Sequence, residues 1–190
     1  AVELIIDQDD PTLTTTGDIV VAGGNVNQGY WNLTNTDVTI SNDLDLDPTI
    51  VGGTLQLHAG TGLSGMFSNI GTDSTLVQDN TTHETVLSST ELSNWGASDG
   101  DTLIFRAVVT DIAGNESRGS QGVNYLVVDF SDPAAFTVGA VTATGGTVVS
   151  NYFNSTNDGA AVTVPIDPTD NSLVGGNVQL RITPNGAGTE

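Results

Sequence analysis

The side chains best suited to chemistry in this 190-residue chain are carboxylates, and they fall in three short runs. Asp7, Asp9 and Asp10 form the first, Asp43, Asp45 and Asp47 the second, and Asp111, Asn115 and Glu116 the third. Carboxylates mixed with amide and backbone oxygens suit calcium, which takes roughly 6–8 oxygen ligands in a tolerant geometry. No run has the spacing of an EF-hand loop, so a fold would have to assemble the set. If it did, a cation or a proton would be needed among so many like charges. The alternative is that these Asp and Asn residues are ordinary turn formers with solvated side chains.

Other chemistry is poorly represented. His58 and His83 have no cysteine near them and no acidic spacing that suggests zinc. No serine stands in a G-x-S-x-G turn. Asp99 and Asp101 imitate a glycosidase carboxylate pair, but Asp99-Gly100-Asp101 reads more simply as a tight turn ahead of a strand. Asn32, Asn80, Asn115 and Asn154 head N-x-S/T sequons. No catalytic residue and no organic cofactor site is expected, and the chain reads as a non-enzyme.

The elements that must position the acidic runs are strands. Thr102–Thr110 places Leu103, Phe105, Ala107 and Val109 on one face and Ile104, Arg106 and Val108 on the other. A strand apolar on nearly both sides belongs in the middle of a packed sandwich. Shorter strands are expected at Ile19–Ala22, Asp37–Ser41, Thr54–His58, Gly65–Phe67, Thr75–Gln78, Glu84–Leu87 and Val123–Asp129, separated by turn residues. One helix interrupts them: Ser88 and Glu91 have capping-box spacing, Leu87 and Leu92 are placed as a hydrophobic staple, Trp95 packs beneath, and Gly96 ends it. The fold class is all-β.

Composition excludes several functions. Lys and Arg number three against 23 Asp and Glu, a formal charge of −20. Such a surface repels nucleic acid and anionic membranes. It keeps a protein soluble and unassociated, and bound cations would relieve its self-repulsion. An acidic coat without any resident metal is the plainer reading. There is no cysteine and no apolar run near 18 residues, so neither disulfides nor a membrane span are expected.

A repeat organises the chain. Leu4-Ile5-Ile6-Asp7 matches Leu126-Val127-Val128-Asp129, and Asp10-Pro11 matches Asp132-Pro133, an offset of 122. The same offset carries Gly24 to Gly146, Tyr30-Trp31-Asn32 to Tyr152-Phe153-Asn154, and Thr34-Asn35 to Thr156-Asn157. Val51-Gly52-Gly53 recurs as Val174-Gly175-Gly176 at 123. The chain is therefore expected to be a tandem array. Residues 1–7 read as the closing strand of a preceding unit, 8–130 as a complete unit, and 131–190 as the first half of the next. Either a longer chain or a partner chain would complete that half.

The run ELSNWGASDGDTLIFRAVVTDIAGNES, with YWNLTNTDVTI and VGGTLQL before it, resembles bacterial immunoglobulin-like repeats of large surface adhesins. The resemblance covers most of 8–130 and again 131–180. It implies tandem immunoglobulin-like β-sandwiches joined end to end, in a stalk at the bacterial cell surface or outside the cell, often stiffened by calcium at the joints. Neighbouring repeats would be the partners, with other copies in a filament a further possibility.

In a sandwich of that kind the loops carrying the three acidic runs gather at one pole. A second joint would combine Asp129, Ser131 and Asp132 with Asp99 and Asp101 below and Asp167 and Asp170 above. The rival reading is a carbohydrate-binding module that stacks a sugar on an exposed Trp31. The aromatic pair recurs as Tyr152-Phe153, and one member of each pair is expected to face a core.

Overall fold

The computed structural model describes residues 4–12, 16–62, 65–170 and 173–181. The chain divides into two compact units, Ala1–Ser131 and Asp132–Glu190. Along the first unit run β1 (Thr16–Ala22), β2 (Tyr30–Trp31), β3 (Asp37–Asp43), β4 (Thr54–Thr61), β5 (Ser68–Asn69), β6 (Ser74–Thr75) and β7 (Thr82–Ser88). The helix α1 (Ser89–Trp95) follows, then β8 (Thr102–Thr110), β9 (Glu116–Arg118) and β10 (Tyr125–Val128).

Two sheets result. One has the order β1-β3-β7; the other runs β2-β10-β8-β4-β5, with β6 on β4 and β9 on β8. The period of two decides what each strand buries. β3 turns Val38, Ile40 and Asn42 inward, and β4 turns Leu55, Leu57 and Ala59 inward. Side chains from both sheets meet in one core, with Val38, Ile40 and Leu87 opposite Leu57, Phe105 and Leu126. Each such side chain contributes roughly 1.5–3 kcal/mol by leaving water. The first unit is thus an all-β, sandwich-like body. Its centre is β8, paired with β4 along eight residue pairs from Thr54↔Thr110 to Thr61↔Leu103. Ile104 and Val108 on its second face are also buried, and the Arg106 guanidinium lies over the Phe67 ring at 4.3 Å.

The helix forms as its caps dictate. Ser88 Oγ accepts from Glu91 N at 3.2 Å, and Glu91 Oε2 accepts from Ser88 N at 2.8 Å. Gly96, at φ 102°, ends it in the left-handed region. Leu87 and Leu92 are both fully buried, and Trp95 packs against the same core while its Nε1 donates to Ser68 Oγ.

Several boundaries differ from expectation. The strand expected at Gly65–Phe67 lies at Ser68–Asn69, and Thr75–Gln78 contracts to Ser74–Thr75 because Leu76 dips into a second core cluster with Ile50 and Leu55. The closing strand begins only at Tyr125, after Gly122 N has bonded Phe105 O. β2 and β9 are too short for periodicity to reveal.

The second unit carries β11 (Val141–Thr144) and β12 (Gly159–Val162), paired antiparallel. Ala143 faces Ala160 there, as Val21 faces Val38 in the first unit, so the register recurs at the sequence offset of 122. Burial does not recur. Trp31 is 2% exposed and its counterpart Phe153 is 65% exposed; Leu57 is fully buried and Leu180 is 46% exposed. The expectation of one inward aromatic per pair holds for Trp31 and fails for Tyr152-Phe153, both of which are open to solvent.

Candidate functional site

The three acidic runs do approach one another in the first unit. Thr12 N donates to Asp47 Oδ2 at 2.9 Å, Asn115 Nδ2 reaches Asp7 O at 3.5 Å, and Ile112 N reaches Thr49 O at 3.5 Å. Apart from Asp47 Oδ2, what meets there is backbone and the Asn115 amide, and most of the bonds that Asp47 and Asp111 accept come from their own turns.

Asp111 is the clearest case. It follows β8 directly and is buried, at 4% exposure. Its Oδ1 accepts from the backbone N–H groups of Ala113, Gly114 and Asn115 at 2.8, 2.7 and 2.9 Å, and its Oδ2 accepts from Asn115 Nδ2 at 2.9 Å. Burial pushes the Asp111 carboxyl up, but these hydrogen bonds outweigh it and hold it below the usual carboxylate range. Gly114 supplies the positive φ of 96° that closes the loop. Asp47 behaves likewise at the 3₁₀ turn Pro48–Ile50, its Oδ1 accepting from Thr49 N and Thr49 Oγ1. Burial raises its carboxyl too, and the bonds from Thr49 and Thr12 bring it below the ordinary value.

The remaining members are dispersed. Asp43 Oδ1 accepts from Thr82 Oγ1, and Asp7 Oδ1 from Asp9 N. Asp45 offers its backbone carbonyl to Asn80 N. Glu116 pairs with Arg118 at 2.8 Å on the exposed strand β9. Asp9 and Asp10 are exposed. Among the described residues no three Asp, Glu or His side chains converge as a metal-holding group.

Of the second set, Asp99 meets the end of the first unit. Its two oxygens accept from Phe130 N and Ser131 Oγ, which hold its carboxyl below the ordinary value. Asp101 Oδ2 caps Ser98 N at 2.8 Å. Asp129 is half-buried and its N–H bonds Trp31 O, whereas Asp132 is exposed. In the second unit Asp167 accepts from Thr169 Oγ1 and N, which lower its carboxyl, and Asp170 donates its N–H to Asp167 O.

Two features were not legible as such. Ser74 Oγ and His83 Nε2 lie 2.7 Å apart, between the consecutive strands β6 and β7, and burial pushes the His83 imidazole down. Among the described residues no carboxylate bonds this histidine, so the third group of a nucleophilic triad is missing. The other is an asparagine bracket. Asn35, buried at 3% exposure, accepts from Asn32 N and donates to Gly23 O and Asn25 O, while Asn32 Nδ2 donates to Asn25 O. Asn157 and Asn154 make the same bonds, to Asn154 N, Gly145 O and Thr147 O. Its signal was the recurrence of Thr34-Asn35 as Thr156-Asn157.

A groove of about 380 Å³ lies along the β1-β3-β7 sheet, lined by Asp18, Thr39, Ser41, Asp43, Thr82 and Glu84 among others. It has no aromatic wall, and Trp31, on which the rival reading would stack a sugar, is in the core. Comparison with protein-family models, with curated proteins and with solved structures gives no match.

Proposed function

We propose that the chain is a structural, non-catalytic part of an extracellular array. It is read as tandem immunoglobulin-like sandwiches forming the stalk or spacer of a bacterial surface adhesin or cell-surface filament. The observation that carries this is what the two units share. Register, turn glycines and every bond of the asparagine bracket recur at an offset of 122. Three polar residues of the groove do not: Asp18, Ser41 and Asp43 correspond to Ala140, Thr163 and Pro165. Copying a scaffold while polar residues of a groove change favours a mechanical role over a ligand site.

The charge of −20 and the absence of cysteine suit such an array, which must stay soluble and fold on core alone. No helix among the described residues is long and apolar enough to cross a membrane. Calcium enters the proposal through charge: three Asp-bearing segments meet at one pole, although the Asp47 and Asp111 carboxylates there already accept from N–H and O–H donors. At ten times a dissociation constant of about 10⁻⁴–10⁻³ M, one site would add roughly 1.4 kcal/mol. A melting temperature that rises with calcium at matched ionic strength supports it; no rise removes calcium and leaves the spacer.

The spacer itself is tested by pulling on a multi-unit chain with a single-molecule force probe. A spacer gives evenly spaced unfolding peaks, each releasing roughly 440 Å of contour for about 122 residues. Peaks without a common spacing would contradict it.

A further inference from the structure

A cleft in the first unit gathers an aromatic ring and several polar side chains that the fold leaves unused. Its volume is about 310 Å³, and it lies between α1 and the chain that joins β5 to β6. Glu91, Asn94 and Trp95 line it from the helix, where a spacing of three and four residues sets them on one face. Asn69, Gly71 and Thr72 line it from the other side. Gly71 has φ 65°, and a Cβ there would stand 2.7 Å from Leu87 Cδ2, so glycine lets this wall lie against the core.

Trp95 is half-buried: its indole packs against the core and its Nε1 donates to Ser68 Oγ at 2.9 Å, which fixes the ring. Around it Asn69, Thr72 and Asn94 are exposed, and their side chains make no hydrogen bond among the described residues. Glu91 Oε2 is held by Ser88 N and Oγ, while Oε1 stands beside Gly71, 3.6 Å from where a Cβ would lie. Free amides on a convex surface are ordinary; here they ring an immobilised tryptophan in a concavity.

The chemistry selects a neutral sugar. The C–H face of a pyranose is apolar and lies flat on an indole, and its hydroxyls both donate and accept, as the amides of Asn69 and Asn94 do. The Glu91 carboxylate accepts from hydroxyls and repels an anion, as does a chain charge of −20. An aliphatic ligand would desolvate these polar groups without bonding them. We propose that the Trp95 cleft binds one ring of a neutral saccharide, stacked on the indole and hydrogen-bonded by Asn69, Asn94 and Glu91. All of its walls belong to the first unit. The site goes beyond the spacer reading and shares no residue with the sheet groove; a spacer that binds no sugar would leave that reading intact.

The test is an NMR titration of the full chain with the methyl glycosides of glucose, galactose, mannose and N-acetylglucosamine. It follows the indole N–H signals of the two tryptophans. At least one glycoside is expected to shift the Trp95 signal saturably, with a dissociation constant of about 1–10 mM, and to leave that of the buried Trp31 in place. Asn69→Ala and Asn94→Ala are each expected to weaken this binding about tenfold by removing a hydrogen bond. Both positions are exposed, so neither change disturbs a core. A Trp95 signal that no glycoside moves overturns the proposal. So does saturable binding indifferent to both substitutions, or a methyl glucuronide that binds as tightly as the neutral sugars.

Discussion

The ring of Phe130 meets that of Trp31 edge-on, with centroids 5.0 Å apart and planes at 72°. One residue before Phe130, Asp129 N bonds Trp31 O, so the end of the first unit is tied to its second strand by ring and backbone together. Trp31 is also an anchor with a flaw: its Nε1 is buried without a hydrogen-bond partner.

Trp31→Ala is expected to cost about 3–5 kcal/mol. Trp31→Phe is expected to cost much less, since it relieves the orphaned donor while keeping a ring for Phe130. Phenylalanine already holds the matching place at residue 153. Urea unfolding followed by circular dichroism separates the two; equal costs would deny the ring its role.

Asn35 closes three hydrogen bonds inside one loop. Asn35→Ala removes these bonds from part-buried backbone groups and is expected to cost about 1–2 kcal/mol in the same assay. Substituting the exposed Asn25 is expected to change little, since its backbone and not its side chain receives the bonds.

The strand pattern was legible where periodicity and caps agreed. Thr102–Thr110 and the Ser88/Glu91 cap stand where the residues put them, because each rests on local chemistry. β2 and β9 were not legible, because two or three residues carry no period, and β2 depends besides on a partner far along the chain. The acidic runs show the same limit. Aspartate types predicted a shared pole, and the segments do meet, but Asp111 and Asp47 turn to amides two to four residues away that a composition argument does not weigh.

Ser88→Ala removes one half of the capping box and is expected to cost about 1 kcal/mol. Glu91 sits below the ordinary glutamate value because Ser88 N and Ser88 Oγ bond it. The substitution should move the Glu91 titration back toward normal, which carbon-13 NMR of its carboxyl would read.

Stability should fall on acidification in two stages, and the sign is the same in both. Burial lowers His83, and burial with Arg106 and Arg118 lowers His58, so the unfolded chain takes up these protons first. Their contribution is complete above about pH 6.5 and is lost as pH falls toward the lower folded values. The carboxyls of Asp47, Asp99, Asp111 and Glu91 are also lowered, giving stability above about pH 4 that disappears below it. His83→Gln should flatten the first stage in urea midpoints taken between pH 7.5 and 5; an unchanged slope would mean that His83 is as protonatable folded as unfolded.

Small-angle X-ray scattering of a chain with three consecutive units of 8–130 tests the spacer most directly. β8 alone is nine residues, about 30 Å of strand. Three units end to end therefore exceed about 90 Å, and the radius of gyration is expected to be above about 26 Å and to grow in proportion to unit number. A value near 21 Å, which about 370 residues reach as a single compact globule, would contradict it.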